Sequence, residues 1–316
     1  MIFPSLKPIK LAIASPSFCK NQDLINEISL LDLDIKINTD RIILTGQSLC
    51  DFIDDSEIAI IGTEAITSDV LGHCSQLKLI AKYGVGLDQI DQVACRHYCV
   101  DIGWTPGVNK LSVAEMTLGF MITLSQNMIQ TSKALTNGIW NKVGGRLLSG
   151  KTIGIIGLGQ IGKQVVTLLT PFNCRILAND IAIDSHFCKS HNVTITDKET
   201  LFRESNIISL HVPLTLETTH LINAHTLSLM NTSTILINTS RGSVVDLSAL
   251  HDALDERRLF AAGLDVYSTE PLQDHSLPAS PHVFCTPHIG GAALESVLAM
   301  GRSAISHVRA YVNQCK

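Results

Sequence analysis

One stretch, KTIGIIGLGQIGKQVVTLL from Lys151, constrains the possible folds more than any other part of the chain. Its apolar run ends at three glycines with the spacing GxGxxG, Gly157, Gly159 and Gly162, and a helical pattern follows directly. In this context the first glycine permits a tight turn and the second lets the backbone approach a pyrophosphate. The third allows close packing of the helix on the strand. The stretch therefore predicts a strand–turn–helix unit that binds a dinucleotide.

Strand-like and helix-like segments alternate along most of the chain, which predicts parallel sheets covered by helices. In the first third of the chain, five strand candidates begin at Lys10, Leu33, Glu57, Leu77 and Cys99. A second series has six candidates, the number that a full dinucleotide-binding sheet needs, and they begin at Lys151, Cys174, Asn206, Ser233, Leu259 and His282. Between the two series, an amphipathic pattern from Leu111 to about Lys133 predicts one helix of six turns.

The last helical pattern, from Ala292 to about Val312, has no strand of its own, so its simplest role is to pack on the first domain. We therefore predict an α/β protein with two Rossmann-like, doubly wound domains. Residues 1–101 and 290–316 would form a discontinuous, flavodoxin-like substrate-binding domain. Residues 102–289 would form the cofactor domain inserted into it.

Composition excludes several classes of partner. The net charge of the 316 residues is −5 and there is no basic tract, so nucleic acid is not expected as a partner. The longest apolar run, from Val113 to Leu124, is too short to span a bilayer, and the start shows no export signal. The nine cysteines include no CxxC pair and no metal-ligand cluster. We expect reduced thiols, no metal site, no membrane partner and a cytoplasmic location.

Asp180 indicates which dinucleotide binds. It lies 23 residues after Gly157, where a carboxylate accepts hydrogen bonds from the adenosine ribose and repels a 2′-phosphate. No Arg or Lys occurs in the adjoining NDIAID, so NAD is predicted rather than NADP. The first-turn N–H groups near Gln160 and Ile161 would contact the phosphates.

Three titratable residues follow strands of the cofactor domain: Arg241, Glu270 and His288. Each alone is more often structural, but together with a nicotinamide they can reduce a 2-oxo acid. Arg241 would hold the substrate carboxylate, and His288 would protonate the developing alkoxide. Glu270 would orient the imidazole and keep it protonated. Asp265 could accept a hydrogen bond from the nicotinamide amide.

Another glycine turn, KYGVGLD, lacks a third glycine and a following helix, so a second dinucleotide site is not expected there. The N–H groups of Val85 and Gly86 can instead face a small anion.

Seven stretches between about residues 57 and 300 resemble the D-isomer-specific 2-hydroxyacid dehydrogenase family: KYGVGLDQID, TPGVNKLSVAEMTLG, GKTIGIIGLGQIGKQV, HVPLTLETTHLIN, INTSRGSVVD, AAGLDVYSTEP and CTPHIGG. The resemblance implies the inserted-domain architecture, NAD dependence, a homodimer formed through the NAD domains, and Arg241, Glu270 and His288 as the catalytic set. For the substrate it implies Thr63, Val85, Gly86, Arg241 and His288. Cofactor contacts are implied at Gly157, Gly159, Gln160, Ile161, Gly162, Asp180, His211, Val212, Pro213, Thr218, Thr239, Ser240, Asp265 and Gly290.

The resemblance leaves the substrate open. Formate is disfavoured because the formate branch has a glutamine where this chain has Glu270. After the third strand, phosphoglycerate enzymes commonly have an arginine, whereas this chain has Gly62, Thr63 and Glu64. Lys82 or a dimer partner could compensate. We expect a small unphosphorylated oxo acid of the hydroxypyruvate or glyoxylate type, with D-3-phosphoglycerate as the alternative. A third alternative is an NAD-sensing, corepressor-like binding protein without turnover.

Overall fold

The computed structural model describes residues 8–315. It divides into two compact units: unit 1 runs to Asn109 and resumes at Leu294, and unit 2 is Lys110–Ala293. The predicted domain boundaries, at 101/102 and 289/290, lie a few residues earlier. The units instead divide where long helices begin, at Lys110 and Leu294.

Unit 1 contains a five-stranded parallel sheet with the strand order β2-β1-β3-β4-β5, the flavodoxin-like order. The strands are β1 (Lys10–Ile13), β2 (Asp34–Ile37), β3 (Ile58–Ile61), β4 (Leu79–Lys82) and β5 (Asp101–Gly103). The helices that precede residue 110 are α1 (Pro16–Cys19), α2 (Gln22–Ile28), α3 (Gly46–Ile53), α4 (Ser68–His73) and α5 (Gln92–His97). Every residue of β3 and β4 is buried, as expected for inner strands covered by helices on both faces.

Unit 2 contains a seven-stranded parallel sheet with the order β12-β11-β10-β9-β6-β7-β8. Counted from β6 as strand one, this is the dinucleotide-binding order 3-2-1-4-5-6 with one additional edge strand. The strands are β6 (Thr152–Ile156), β7 (Arg175–Asn179), β8 (Val193–Ile195), β9 (Ile207–Leu210), β10 (Ile235–Asn238), β11 (Ala261–Leu264) and β12 (Val283–Cys285). The prediction of six strands missed β8, because only Val193 of its three residues is buried and no apolar pattern marks it.

The helices of unit 2 are α6 (Lys110–Ser125), α7 (Met128–Thr136), α8 (Gln160–Leu169), α9 (Ser185–Ser190), α10 (Lys198–Glu204), α11 (Ala224–Ser228), α12 (Leu247–Asp255) and α13 (Ser276–Ala279). The prediction of one helix from Leu111 to Lys133 was wrong. The chain breaks at Asn127, whose φ of 56° is left-handed, a conformation that Asn tolerates better than most residues. Burial changes at the same point, since α6 packs into the core and α7 has no buried residue.

The C-terminal helix α14 (Leu294–Cys315) packs within unit 1, against β4, β5 and α2. Its Met300, Ala304 and Val308 are buried in the same apolar cluster as β1 and β4, and Arg302 forms an ion pair with Glu27 of α2 at 2.7 Å. Among the described residues, neither α14 nor any other helix is both long and apolar enough to cross a membrane.

Two glycines in helix interiors test the packing of α14. A Cβ at Gly301 would lie 2.2 Å from Leu24 Cδ1, whereas a Cβ at Gly119 of α6 would meet no atom within 4 Å. Alanine gains about 1 kcal/mol over glycine in a helix, and overpacking a core costs about 1–3 kcal/mol. We expect Gly119→Ala to raise the free energy of unfolding and Gly301→Ala to lower it, measured by urea denaturation. Equal stabilisation by both changes would contradict the close packing of α14 on α2.

Candidate active site

Most of the predicted functional residues lie at one edge of the unit 2 sheet. Because all seven strands run parallel, their carboxyl ends meet at this edge, where ligands bind in doubly wound folds. The residues found just after successive strands are Gly157, Asp180, His211, Thr239, Asp265 and His288.

The glycine turn after β6 has the geometry that a dinucleotide requires. Gly157 has a φ of 95°, and a Cβ there would lie 2.6 Å from the His211 backbone. A Cβ at Gly162 would lie 2.1 Å from Gly157 O, so the third glycine allows α8 to pack on the turn. At Gly159 a Cβ would meet nothing within 4 Å, which leaves open space where a pyrophosphate would approach.

The amino end of α8 faces that open space with backbone donors. Gly159 is the N-cap residue and contributes no side chain, so no side chain caps the first-turn N–H groups. The predicted phosphate contacts at Gln160 and Ile161 belong to this first turn, where the helix dipole also favours an anion.

Asp180, directly after β7, supports the predicted choice of NAD. Its carboxylate accepts hydrogen bonds from the N–H groups of Leu158 and Ala182, which ties the glycine turn to the end of β7. A carboxylate has further acceptor positions for ribose hydroxyls. Lys163 of α8 forms an ion pair with Asp184 at 2.6 Å.

His211, directly after β9, contributes a neutral ring. Ser209 Oγ lies 2.9 Å from its Nε2, while its Nδ1 is buried without a partner among the described residues. Burial lowers the pKa of this imidazole to about 3. An orphaned ring nitrogen beside the glycine turn fits a hydrogen bond to a cofactor, as predicted for His211.

The loop after β9 is closed by its own side chains. Thr218 Oγ1 donates to Pro213 O at 2.7 Å and accepts from the Thr215 N–H at 2.7 Å. Val212, Pro213 and Thr218, all predicted cofactor contacts, therefore belong to one folded loop at the ligand-binding edge.

Asn238, which was not predicted, shapes the turn after β10. Its Oδ1 accepts from the N–H and the hydroxyl of Ser240, and its Nδ2 donates to Arg241 O at 2.8 Å. The predicted Thr239 is buried, and its Oγ1 lies 3.0 Å from Thr117 Oγ1 of α6. The sequence INTSRG did carry a signal, since Asn commonly bonds to the backbone of its own turn.

Arg241 is held at the start of the next loop. Its Nη1 donates to Ser240 O at 2.6 Å, and the side chain is half-buried. A Cβ on the adjacent Gly242 would lie only 1.9 Å from the Tyr267 carbonyl carbon. The loops after β10 and β11 therefore touch backbone to backbone, which places Arg241 next to the loop that carries Glu270.

Glu270 and His288 form the predicted pair. Glu270 Oε2 lies 2.6 Å from His288 Nδ1, and Glu270 Oε1 accepts from the Tyr267 N–H at 3.0 Å. The carboxylate is thus anchored on one side and orients the imidazole on the other, which leaves Nε2 for another partner. The two side chains are 36% and 49% exposed, so a small substrate can reach them.

The loop that carries His288 is fastened by Asp265. The φ of His288 is 53°, a left-handed conformation that is uncommon for residues other than glycine. The buried Asp265 carboxylate accepts from Thr286 Oγ1 at 2.6 Å and from the N–H groups of Ile289 and Gly290, both at 2.8 Å. Its predicted contact with the nicotinamide stays a prediction, and its three bonds to the loop were not predicted.

Ser112 of α6, also not predicted, donates to Gly290 O at 2.5 Å and secures the end of the same loop. It lies 178 residues from Gly290 in the sequence, so no local pattern could have revealed the contact.

The predicted substrate residues fall in both units. Thr63, Val85 and Gly86 follow β3 and β4 in unit 1, whereas Arg241 and His288 belong to unit 2. Among the described residues, no group of three His, Cys, Asp or Glu side chains could hold a metal ion.

Comparison with known proteins identifies the sequences that this chain is similar to. Residues 118–290 match the model of the D-isomer specific 2-hydroxyacid dehydrogenase, NAD binding domain. A hydroxypyruvate reductase of Thermotoga maritima is 36% identical, over 77% of this chain and 80% of that protein. A D-3-phosphoglycerate dehydrogenase of Methanocaldococcus jannaschii is 35% identical over 84% of this chain. The chain spans about half of that longer relative, since the match covers 52% of it.

Among solved structures, a D-lactate dehydrogenase of Aquifex aeolicus in complex with NAD and lactic acid is similar throughout. Its TM-score is 0.86 at 27% identity, and the match covers 96% of each chain.

The low pKa of His211 predicts a pH-dependent stability. An unfolded histidine binds a proton below about pH 6.5, whereas folded His211 does not until about pH 3. Stability is therefore lost as the pH falls through this window, by about 2.5 kcal/mol between pH 7 and pH 4.5. We expect His211→Gln to remove this part of the acid destabilisation in urea denaturation at the two pH values. The matched control is the exposed His225→Gln, and an equal effect of both changes would contradict the assignment.

Proposed function

Because this chain belongs to the D-isomer specific 2-hydroxyacid dehydrogenase family, we propose that it reduces a small, unphosphorylated 2-oxo acid such as hydroxypyruvate or glyoxylate. The predicted family, α/β fold with Rossmann-like domains, oxidoreductase class and NAD cofactor are confirmed by the family match and the relatives. The observation that carries the proposal is the 2.6 Å contact between Glu270 and His288 at the ligand-binding edge of the NAD-binding unit.

Reduction of a 2-oxo acid requires the transfer of a hydride and of a proton. NADH, when bound at the glycine turn, supplies the hydride. His288 Nε2 donates the proton to the developing alkoxide, so that a C=O becomes a CH–OH. The hydrogen bond between His288 Nδ1 and Glu270 Oε2 fixes the orientation of the ring. His288 then regains a proton from solvent.

Arg241 orients the substrate. A guanidinium binds a carboxylate through two parallel hydrogen bonds, which fixes the direction of the adjoining carbonyl. The bond from Nη1 to Ser240 O restricts the Arg241 side chain before the substrate arrives. The N–H groups of Val85 and Gly86 in unit 1 stay predicted contacts of a substrate carboxylate.

Several features favour an unphosphorylated substrate. The turn after β3 contains Gly62, Thr63 and Glu64 and no basic residue. Lys82, the possible compensating cation, is buried, and its Nζ donates to the carbonyl groups of Gly62 and Tyr83. These two hydrogen bonds hold the ammonium against the backbone at the ends of β3 and β4. The alternative substrate remains D-3-phosphoglycerate, the substrate class named for the Methanocaldococcus relative.

We also propose a homodimer formed through the NAD-binding units. The residues from α7 to the start of β6 expose an unusual number of large apolar side chains: Leu135, Ile139, Trp140, Val143 and Leu147. Trp140 is 80% exposed, and such a patch typically marks a protein–protein interface. A cavity of about 380 Å³ beside this segment offers a recess for apolar side chains of a second copy.

A cytoplasmic location is proposed as well. All nine cysteines are free, in keeping with a reducing compartment.

An NADH-oxidation screen tests the activity. We expect hydroxypyruvate or glyoxylate to give the highest kcat/KM among a panel that includes pyruvate, 3-phosphohydroxypyruvate and bulkier 2-oxo acids. His288→Ala should lower kcat by about 10²–10⁴-fold because it removes the general acid, with little change in the Kd of NADH. His282→Ala, at the amino end of β12, is the matched control. Preference for 3-phosphohydroxypyruvate would favour the alternative substrate, and NADH binding without any turnover would favour a sensor.

Light scattering after size-exclusion chromatography tests the dimer. We expect the wild-type chain to elute as a dimer and Trp140→Glu to elute as a folded monomer, because a buried charge without a partner disrupts an apolar interface. Leu30→Glu, which changes an equally exposed apolar residue of unit 1, should stay dimeric. A wild-type monomer, or a dimer that survives Trp140→Glu, would refute this interface.

A further inference from the structure

Two charged residues are buried at the carboxyl ends of neighbouring strands in unit 1. Glu64 is 0% exposed and lies in the turn after β3, and Lys82 is 6% exposed and is the last residue of β4. Lysine and glutamate are almost never buried this completely unless their charged groups are paired. Neither belongs to the predicted catalytic or cofactor set, so their burial needs another explanation.

Both side chains hold the same backbone unit, Gly62. Glu64 Oε2 accepts from the Gly62 N–H at 2.5 Å, and Lys82 Nζ donates to Gly62 O. Lys82 Nζ also donates to Tyr83 O at 3.4 Å. The ends of β3 and β4 are therefore joined by hydrogen bonds to charged groups, in addition to the ladder between the strands. A Cβ at Gly62 would lie 2.6 Å from Ser15 Oγ, so a larger residue there would displace that hydroxyl.

The turn formed by residues 84–86, here called the carboxylate turn, follows Tyr83 directly. Gly84 has a φ of 121°, and a Cβ there would lie 3.4 Å from Lys82 Nζ, so the turn runs past the lysine amine. Val85 O accepts from Trp104 Nε1 at 2.8 Å. Within residues 8–315, no acceptor takes a hydrogen bond from the N–H groups of Val85 or Gly86. Trp104 thus holds the turn through Val85 O, and Lys82 holds Tyr83, the residue just before it, while the two N–H donors take no such bond.

We propose that Lys82, Glu64 and Trp104 are positioning residues that hold the carboxylate turn ready to bind the carboxylate of a 2-oxo acid. The inference rests on the proposed function, because it assumes that the substrate carboxylate binds the N–H groups of Val85 and Gly86. Fixing these donors in advance removes the ordering cost that a flexible turn would carry on binding. Substrate affinity, rather than the chemical step, depends on the three residues.

Steady-state kinetics with hydroxypyruvate test the inference. Lys82→Met removes a charged donor but keeps the length of the side chain, and we expect it to raise the KM of hydroxypyruvate about ten- to hundredfold. Its kcat should change by less than about threefold, and the Kd of NADH, which binds unit 2, should not change. Lys82→Arg should restore part of the affinity. The control is Lys78→Met, which changes an exposed lysine just before β4.

Trp104→Phe provides a second test that does not depend on the buried lysine. It keeps an aromatic ring but removes the donor to Val85 O, and we expect a rise in KM of about three- to tenfold with kcat unchanged. Circular dichroism and thermal unfolding establish that each variant is folded. Should Lys82→Met fail to fold, Trp104→Phe alone decides the outcome, since a purely structural role would not raise KM selectively.

Fluorescence gives a readout that does not require turnover. The chain has two tryptophans, so Trp140→Phe leaves Trp104 as the only one. In this background, the non-reducible carboxylate oxamate should change the emission of Trp104, with a Kd that rises at least tenfold when Lys82→Met is added.

The outcomes separate the inference from the proposed function. Turnover of hydroxypyruvate with unchanged KM in Lys82→Met and Trp104→Phe would overturn the inference and leave the function standing. No turnover of any 2-oxo acid, combined with oxamate binding that depends on Lys82, would overturn the function and support the turn as an anion site. Absence of both turnover and oxamate binding would overturn both.

Discussion

Backbone-to-backbone contact between neighbouring loops is the constraint on which the geometry of the candidate active site depends. Parallel strands bring the loops that follow them to one edge of the sheet. At two positions on this edge the loops lie so close together that only glycine fits. Gly157 meets the His211 backbone, and Gly242 meets the Tyr267 backbone at distances that no Cβ could occupy. These contacts place the cofactor turn against β9 and Arg241 against the loop of Glu270.

Buried polar side chains then secure loops that would otherwise be unfavourable. In unit 2, Asp265 uses one carboxylate to bind three groups of the segment that holds His288 in a left-handed conformation. In unit 1, Glu64 binds the N–H of Gly62 and Lys82 binds the C=O of the same residue. In each case folding removes a polar side chain from water, and hydrogen bonds to the backbone of a turn replace its hydrogen bonds to water. The same bonds make the turn rigid.

The features that could be predicted were those that depend on the pattern of apolar and polar residues within a short segment. Eleven strands were predicted because apolar runs of buried parallel strands are long and bounded by glycine or polar residues. The edge strand β8 was not predicted because its side chains are mostly exposed. The break at Asn127 was not predicted because an asparagine within a helical pattern does not by itself indicate a left-handed residue. Arg241, Glu270 and His288 were predicted as a catalytic set from their positions after strands, and this role stays a prediction; the structure places Glu270 and His288 in contact.

The sequence by itself determined the family, the parallel α/β architecture, the glycine turn and the residue types that can carry hydride-transfer chemistry, because these depend on short-range spacing and on which residues follow which strands. Only the tertiary structure decided which side chains support that chemistry. Ser112 reaches Gly290 across 178 residues, and Trp104 reaches Val85 from the neighbouring strand. Such contacts depend on how distant segments pack, and a hydrogen bond between two groups leaves no trace in the local sequence of either.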